Sequence, residues 1–160
     1  MKNLYSPWRI DYILQEKDDG CILCEKPKAN DDKSHLILKR GKYSYIVMNL
    51  YPYNNAHLMI VPFRHCSHFY EYDEEEILEI GKMIQLSEKI LTKVYKPDGF
   101  NIGMNLGEDA GAGITDHLHI HIVPRWKGDT NFFSTIGKTR VIPEKMEDIY
   151  QKLKNEFRKK

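Results

Sequence analysis

The chain has 160 residues, with 24 Lys plus Arg against 23 Asp plus Glu, enough for one domain with a sizeable core and nearly neutral overall. That balance argues against broad binding to nucleic acid or to a membrane surface, so any anion site must be local. Neither a signal-type h-region nor an apolar run long enough to span a bilayer is present, and the expected location is the cytoplasm.

Residues 1–20 form a mixed N-terminal arm. Within it, Ser6-Pro7-Trp8-Arg9 can open a helical turn, and Tyr5, Trp8 and Tyr12 can dock the arm by plain packing. Cys21-Ile22-Leu23-Cys24 follows. Three cysteines, two of them in this spacing, fit metal or redox chemistry better than a secreted disulfide framework. A redox pair is expected to open a helix after a strand. The residues after Cys24 read instead as a polar loop, which favours a metal gripped from a tight turn and needing two further ligands. Two short strands follow at 35–40 and 43–50. In the second, Tyr45, Val47 and Asn49 share one face while Ile46, Met48 and Leu50 share the other. A turn-rich loop, Leu50 to Asn55, leads to a strand over His57–Pro62. His65 and His68 lie just beyond and are both candidates for a third metal ligand.

The clearest helix spans 73–95, with Asp73 and Glu76 as a capping box and Ile77, Ile80, Ile84, Leu91 and Val94 as its apolar stripe, widened by Met83, Leu86 and Ile90. A strand over 100–105 ends at Asn105. The loop Gly107 to Gly113 is dense in glycine and lets backbone amides approach a phosphate. A flexible hairpin connection is the commoner explanation of such a loop, but its place directly before three same-face histidines favours the phosphate reading. His117-Leu118-His119-Ile120-His121-Ile122-Val123 reads as a strand with its three histidines on one face, ~7 Å apart in sequence-alternate pairs. A row of titratable groups is a poor choice for packing, so this face reads as chemistry. Pro124-Arg125-Trp126 can add a cation and a stacking surface. Residues 127–142 read as loop, and a terminal helix is expected from Pro143 to about Lys154, burying Met146, Ile149, Tyr150 and Leu153.

His117 to Val123 resembles the His-φ-His-φ-His-φ-φ signature of the histidine triad family. The resemblance extends to Asn49, eight residues before His57, to Asn55-Ala56-His57-Leu58-Met59-Ile60-Val61-Pro62, and to Asn105 and Gly111 in the family's phosphate loop. The stretches around Tyr51-Pro52-Tyr53 and Val123 to Phe132 are most similar to the diadenosine tetraphosphate phosphorylase-like branch. The resemblance implies an α+β fold with an antiparallel sheet of about five strands, a long covering helix and a C-terminal helix. It implies one domain over 1–160, with a core at about 21–126, the N-terminal arm 1–20 and an extension 127–160.

It also implies nucleotidyl transfer or hydrolysis on dinucleoside polyphosphates. His119 would be the nucleophile forming a nucleotidyl-histidine, with His121 and His57 completing the catalytic set. Asn49, Ile46, Leu50, Asn105, Gly111, Gly113, Thr115 and Trp126 would contact substrate. Cys21, Cys24, His65 and His117 would hold a structural zinc, with no cofactor needed for the chemistry. The implied partners are a nucleotide or dinucleoside polyphosphate, inorganic phosphate as acceptor, and a second copy of the chain in a homodimer; nucleic acid and membranes are not expected. One departure stands out. Ala112 and Gly113 occupy the loop where many members carry Gln and Ser or Thr, which leaves water and phosphate both open as acceptors. Hydrolysis of a nucleoside phosphoramidate and a non-enzymatic nucleotide-binding module are the competing readings.

Overall fold

A computed structural model describes residues 20–137 and 141–160; the N-terminal turn expected at 6–9 and the docking aromatics Tyr5, Trp8 and Tyr12 lie outside them. The strands are β1 (Ile37–Arg40), β2 (Ser44–Met48), β3 (Leu58–Pro62), β4 (Gly99–Met104) and β5 (Ile120–Arg125). They form one antiparallel sheet in the order β1-β2-β3-β5-β4. The helices are α1 (Ile22–Lys28), α2 (Glu74–Tyr95), a short α3 (Phe132–Thr135) and α4 (Met146–Arg158), with a 3-10 turn at Phe69–Glu71.

Alternation in the strands divides the apolar residues between two layers. Ile46, Met48, Leu58, Ile60, Leu118, Ile120 and Ile122 face α2 and α4, whereas Tyr45, Val47, Met59 and Val61 pack on the opposite side with Leu23 of α1. The helix α2 begins with the expected capping box between Asp73 and Glu76. Its buried stripe differs from the expected one. Ile77 is 39% exposed, and Ser87 is fully buried beside Met83, Ile90 and Leu91. The stripe is therefore rotated so that its first turn faces the Arg64 loop, where Glu76 binds the Arg64 guanidinium at 2.7 Å. Farther along α2, the Glu79 carboxylate accepts the backbone N–H groups of Lys42, Tyr43 and Ser44, each at 2.8 Å, and so clasps the β1–β2 turn. Gly41 permits that approach, since a Cβ there would lie 2.4 Å from Met83 Cε and 2.6 Å from Glu79 Oε1.

Four other expectations are corrected. The residues after Cys24 are helix, not loop: α1 starts with Cys21 as its N-cap. Pro27 within α1 has no N–H to give the Leu23 carbonyl, and the buried Tyr45 hydroxyl donates to that oxygen instead, at 2.6 Å. The hydrogen-bonded part of the histidine strand starts only at Ile120 and runs on to Arg125. Residues 132–135, expected as loop, form α3, and α4 runs Met146–Arg158, adding Phe157 to its buried residues.

Candidate functional site

The alternation of the histidine stretch outlasts its ladder. Leu118, Ile120 and Ile122 enter the helix-side core, while the rings of His119 and His121 meet edge to face, 4.9 Å apart. His117, His119 and His121 are 1%, 6% and 8% exposed, and His57, immediately before β3, is 1% exposed. This row divides into two centres.

The first gathers around His117. Its Nδ1 lies 3.2 Å from Cys21 Sγ, 3.4 Å from Cys24 Sγ and 3.3 Å from His65 Nδ1, and Cys24 Sγ lies 3.4 Å from His65 Nδ1. All four donor atoms fall within 4.8 Å of one another. A tetrahedral ion with sulfur at about 2.3 Å and nitrogen at about 2.05 Å requires N···N edges of about 3.3 Å and S···N edges of about 3.6 Å. The cluster has those dimensions. The far side of each imidazole is also held: His117 Nε2 donates to the Pro62 carbonyl at 2.9 Å, and His65 Nε2 lies 3.6 Å from the Asp116 carboxylate. His117 thus turns an unprotonated Nδ1 toward the thiols, the arrangement metal-bound imidazoles adopt, and the nearby Asp116 carboxylate favours the same tautomer at His65. Burial, then the neighbouring Cys21, pushes the Cys24 thiol up to about 11. Two thiols this close resist joint ionisation unless a cation offsets their charge.

Backbone ties fix the set. The Cys66 carbonyl accepts the Leu118 N–H at 2.8 Å and the Tyr72 hydroxyl at 3.0 Å, joining the residue after His65 to the residue after His117. His68, the other candidate ligand, stacks instead on Tyr70 at 5.1 Å between centroids.

The second centre is made of His119, His121 and His57. Hydrogen bonds settle where the protons sit. His119 Nδ1 lies 2.9 Å from the carbonyl of His117. A carbonyl only accepts, so Nδ1 carries the hydrogen and Nε2 is left with a free lone pair. His57 Nδ1 receives the Tyr53 backbone N–H at 3.0 Å and the Asn49 amide at 3.3 Å. Its Nε2 therefore holds the hydrogen and donates to His121 Nδ1 at 2.9 Å. That in turn puts the remaining hydrogen of His121 on Nε2, a buried atom without a hydrogen-bond partner. The pair thus presents a nucleophilic nitrogen beside an unmet donor. Tyr53 packs its ring on both His57 and His121, at 4.7 and 5.4 Å; the sequence marked it only as a turn residue.

Burial depresses His57 to about 3 and His121 to about 4, with the neighbouring histidines adding to the effect. The sign follows directly. The unfolded chain protonates these groups near the ordinary 6.5, so their contribution to stability is complete above that pH and drains away as pH falls toward 4. At about 1.4 kcal/mol per unit of pKa difference this is a sizeable acid sensitivity. Thermal melts between pH 7 and pH 5 should show a falling Tm, and His57→Gln should flatten that slope; an equal slope in the variant would assign the sensitivity elsewhere.

The expected substrate contacts are placed unevenly. Asn49 touches His57, and Leu50 beside it is exposed. Ile46 is a correction: it is 0% exposed and lies in the helix-side core, so it faces away from the histidines. Trp126, half-buried, turns its indole N–H to the Tyr95 carbonyl at the end of α2, 3.3 Å away, and it follows His121 by about 16 Å of extended chain. Gly113 and Thr115 are exposed on the loop before His117. Gly111 takes a left-handed φ of 88°, and its carbonyl accepts the Asn105 amide at 3.4 Å.

The HIT domain family model matches residues 30–128, which hold the histidine row, His57, Asn49 and the loop between β4 and β5. The chain belongs to the histidine triad family. Among relatives of this family, AP-4-A phosphorylase of Mycobacterium tuberculosis is 37% identical over 98% of this chain and 85% of its own length. A solved structure of a hypothetical histidine triad nucleotide-binding protein from Sulfolobus tokodaii superposes with a TM-score of 0.67 at 26% identity, covering 87% of this chain and 90% of that one. A zinc-bound histidine triad protein from Mycobacterium smegmatis shares the fold, with a TM-score of 0.70 at 20% identity over 88% of this chain and 94% of that one. Among the described residues, no helix of this histidine triad protein is long and apolar enough to cross a membrane.

Proposed function

We propose that this protein is an enzyme that cleaves dinucleoside polyphosphates, with diadenosine tetraphosphate as the leading candidate substrate. The observation that carries the reading is the free lone pair on His119 Nε2 beside the unpartnered N–H of His121. In the first step His119 Nε2 attacks an α-phosphorus, the P–O bond to the departing nucleotide breaks, and a nucleotidyl-histidine forms. The His121 N–H donates to a phosphoryl oxygen as charge develops there, in a site that is already dry and organised. In the second step water or inorganic phosphate attacks the same phosphorus and frees His119. Asn49 holds the ribose, and Asn105 with the amides around Gly111 and Gly113 receives the remaining phosphates. The high identity to AP-4-A phosphorylase over most of both chains supports this substrate class.

The Cys21, Cys24, His65 and His117 cluster fits zinc in a closed, structural role, because four protein donors leave no position for a substrate. Among the described residues no strand pairs with the outer edge of β4, where Ile102 is exposed, and this supports pairing with a second copy of the chain. Residues 1–160 read as one domain, since Ile149, Leu153 and Phe157 of α4 share the core of the sheet.

Incubation with diadenosine tetraphosphate decides the reading. ADP plus ATP, formed only when phosphate is present, marks phosphorolysis; AMP plus ATP in its absence marks hydrolysis. Failure to form either product removes the proposed substrate and favours phosphoramidate hydrolysis or nucleotide binding alone.

A further inference from the structure

The tautomer of His57 depends on a backbone N–H, that of Tyr53, and so on the shape of the loop between β2 and β3. That loop is not at rest. Ala56 takes a left-handed φ of 55°, a conformation that costs a non-glycine residue about 1 kcal/mol. Strain of this kind persists only where neighbours hold the chain in place.

The hold is visible one residue after Tyr53. Asn54 is buried, and its Nδ2 donates to the Pro124 carbonyl at 2.9 Å and to Asp129 Oδ2 at 2.8 Å. Asp129 is itself immobilised. Its carboxylate accepts Arg125 Nε and a terminal guanidinium nitrogen, both at 2.7 Å, and the Trp126 N–H at 3.2 Å. The Arg125 guanidinium holds the Asp129 carboxyl well below the usual range and reaches across to Asn101 on β4. Hydrogen bonds thus run from β4 through Arg125 and Asp129 to the Asn54 side chain, and one step along the backbone the Tyr53 N–H continues them to His57 and His121.

We propose that Asn54 and Asp129 are positioning residues: without touching substrate, they clamp the Tyr53 amide onto His57 and so keep the His121 N–H directed at the site. This rests on the reading of His121 as a working donor. Anchoring the loop to the far end of β5, the strand that carries His121, makes the donor's orientation a property of the whole sheet.

The test is Asn54→Ala with Asp129→Asn as its conservative companion, measured on the zinc-loaded full chain. Imidazole nitrogen NMR of the unaltered protein should show His57 and His121 each as a single Nε2–H tautomer. Asn54→Ala should give mixed tautomers at both rings and lower kcat about tenfold or more, with KM changed less than twofold; Asp129→Asn should move both readouts the same way by less. Lys93→Ala, which cuts the remote Lys93–Glu156 ion pair, should leave tautomers and kcat unchanged and so separates positioning from general loosening. If Asn54→Ala fails to fold, Asp129→Asn carries the comparison. Single tautomers and an unaltered kcat in the folded variants overturn the proposal. Mixed tautomers in a protein that turns over no dinucleoside polyphosphate would leave the clamp standing and remove the proposed substrate instead.

Discussion

His119→Ala should abolish turnover, lowering kcat by about four orders of magnitude or more, the scale seen when a covalent nucleophile is deleted. The size follows from the mechanism. No other imidazole in the row offers a free lone pair: that of His121 Nδ1 accepts from His57 Nε2, that of His57 Nδ1 accepts the Tyr53 N–H, and that of His117 Nδ1 faces the two thiols, while the unpartnered His121 Nε2 carries a hydrogen. Direct attack by water would have to proceed without the split into two easier steps. The structural cost is small by comparison. Loss of the ring leaves the His117 carbonyl without its 2.9 Å partner, about 1 kcal/mol for one hydrogen bond. The cluster around Cys21 shares no side chain with the deletion, so metal content should be unchanged. Acid-quenched enzyme given substrate labelled at the α-phosphorus should retain label on the protein, and the variant should retain none. A variant that keeps a tenth of the original kcat would remove His119 as the nucleophile.

Cys21→Ser should strip the metal and lower Tm by about 10 °C, at roughly 2–4 °C per kcal/mol for a chain of this length. A serine hydroxyl does not ionise at neutral pH and is a poor replacement for a thiolate, and metal-binding free energy in such a cluster is folding free energy. The loss falls on α1 first. Among the described residues its apolar anchor is the single buried Leu23, supported by the Tyr45 bond across Pro27 and by Arg40 donating to the Pro27 carbonyl at 2.7 Å. Metal analysis and melting curves check the outcome, and a chelator should bring the unaltered protein down to the Tm of the variant. If a reductant shifts Tm while a chelator does not, Cys21 and Cys24 are a redox pair.

Much of this site is legible in the chain because its signals are local. A period of two places three imidazoles on one face wherever the hydrogen-bonded ladder happens to begin, so misplacing the start of β5 left the face assignment intact. The same logic placed Asn49 and Tyr45 correctly. It also implied that Ile46 belongs with the helices, a consequence the family resemblance overrode. Local composition misled at α1: Glu25 to Asp32 reads as loop because it is almost wholly polar, whereas the buried Leu23 and the distant Tyr45 hydroxyl, which satisfies the carbonyl that Pro27 leaves open, hold α1 as helix. Ser87 in the core of α2 and the contact of Ile77 with solvent depend on how α2 meets the Arg64 loop, which no helical period encodes. Residue types alone leave His65 and His68 equal as ligands; the family resemblance selects His65, and its ring is the one turned toward His117. Asn54 and Asp129 lie in stretches that carry the branch resemblance, but nothing in the chain marks them as a pair: they are turn residues 75 positions apart that become partners only when β5 lies beside β3.

His117 contributes its ring to one centre and its carbonyl oxygen to the other. The interval between the two centres is consequently set by the pitch of extended polypeptide, and no side chain can adjust it. Mutation can retune either neighbourhood independently, but a one-residue insertion between positions 117 and 119 would exchange inside for outside and silence both at once. The molecule carries a ruler with a single graduation, which makes the spacing of the motif more restrictive than the identity of the residues around it.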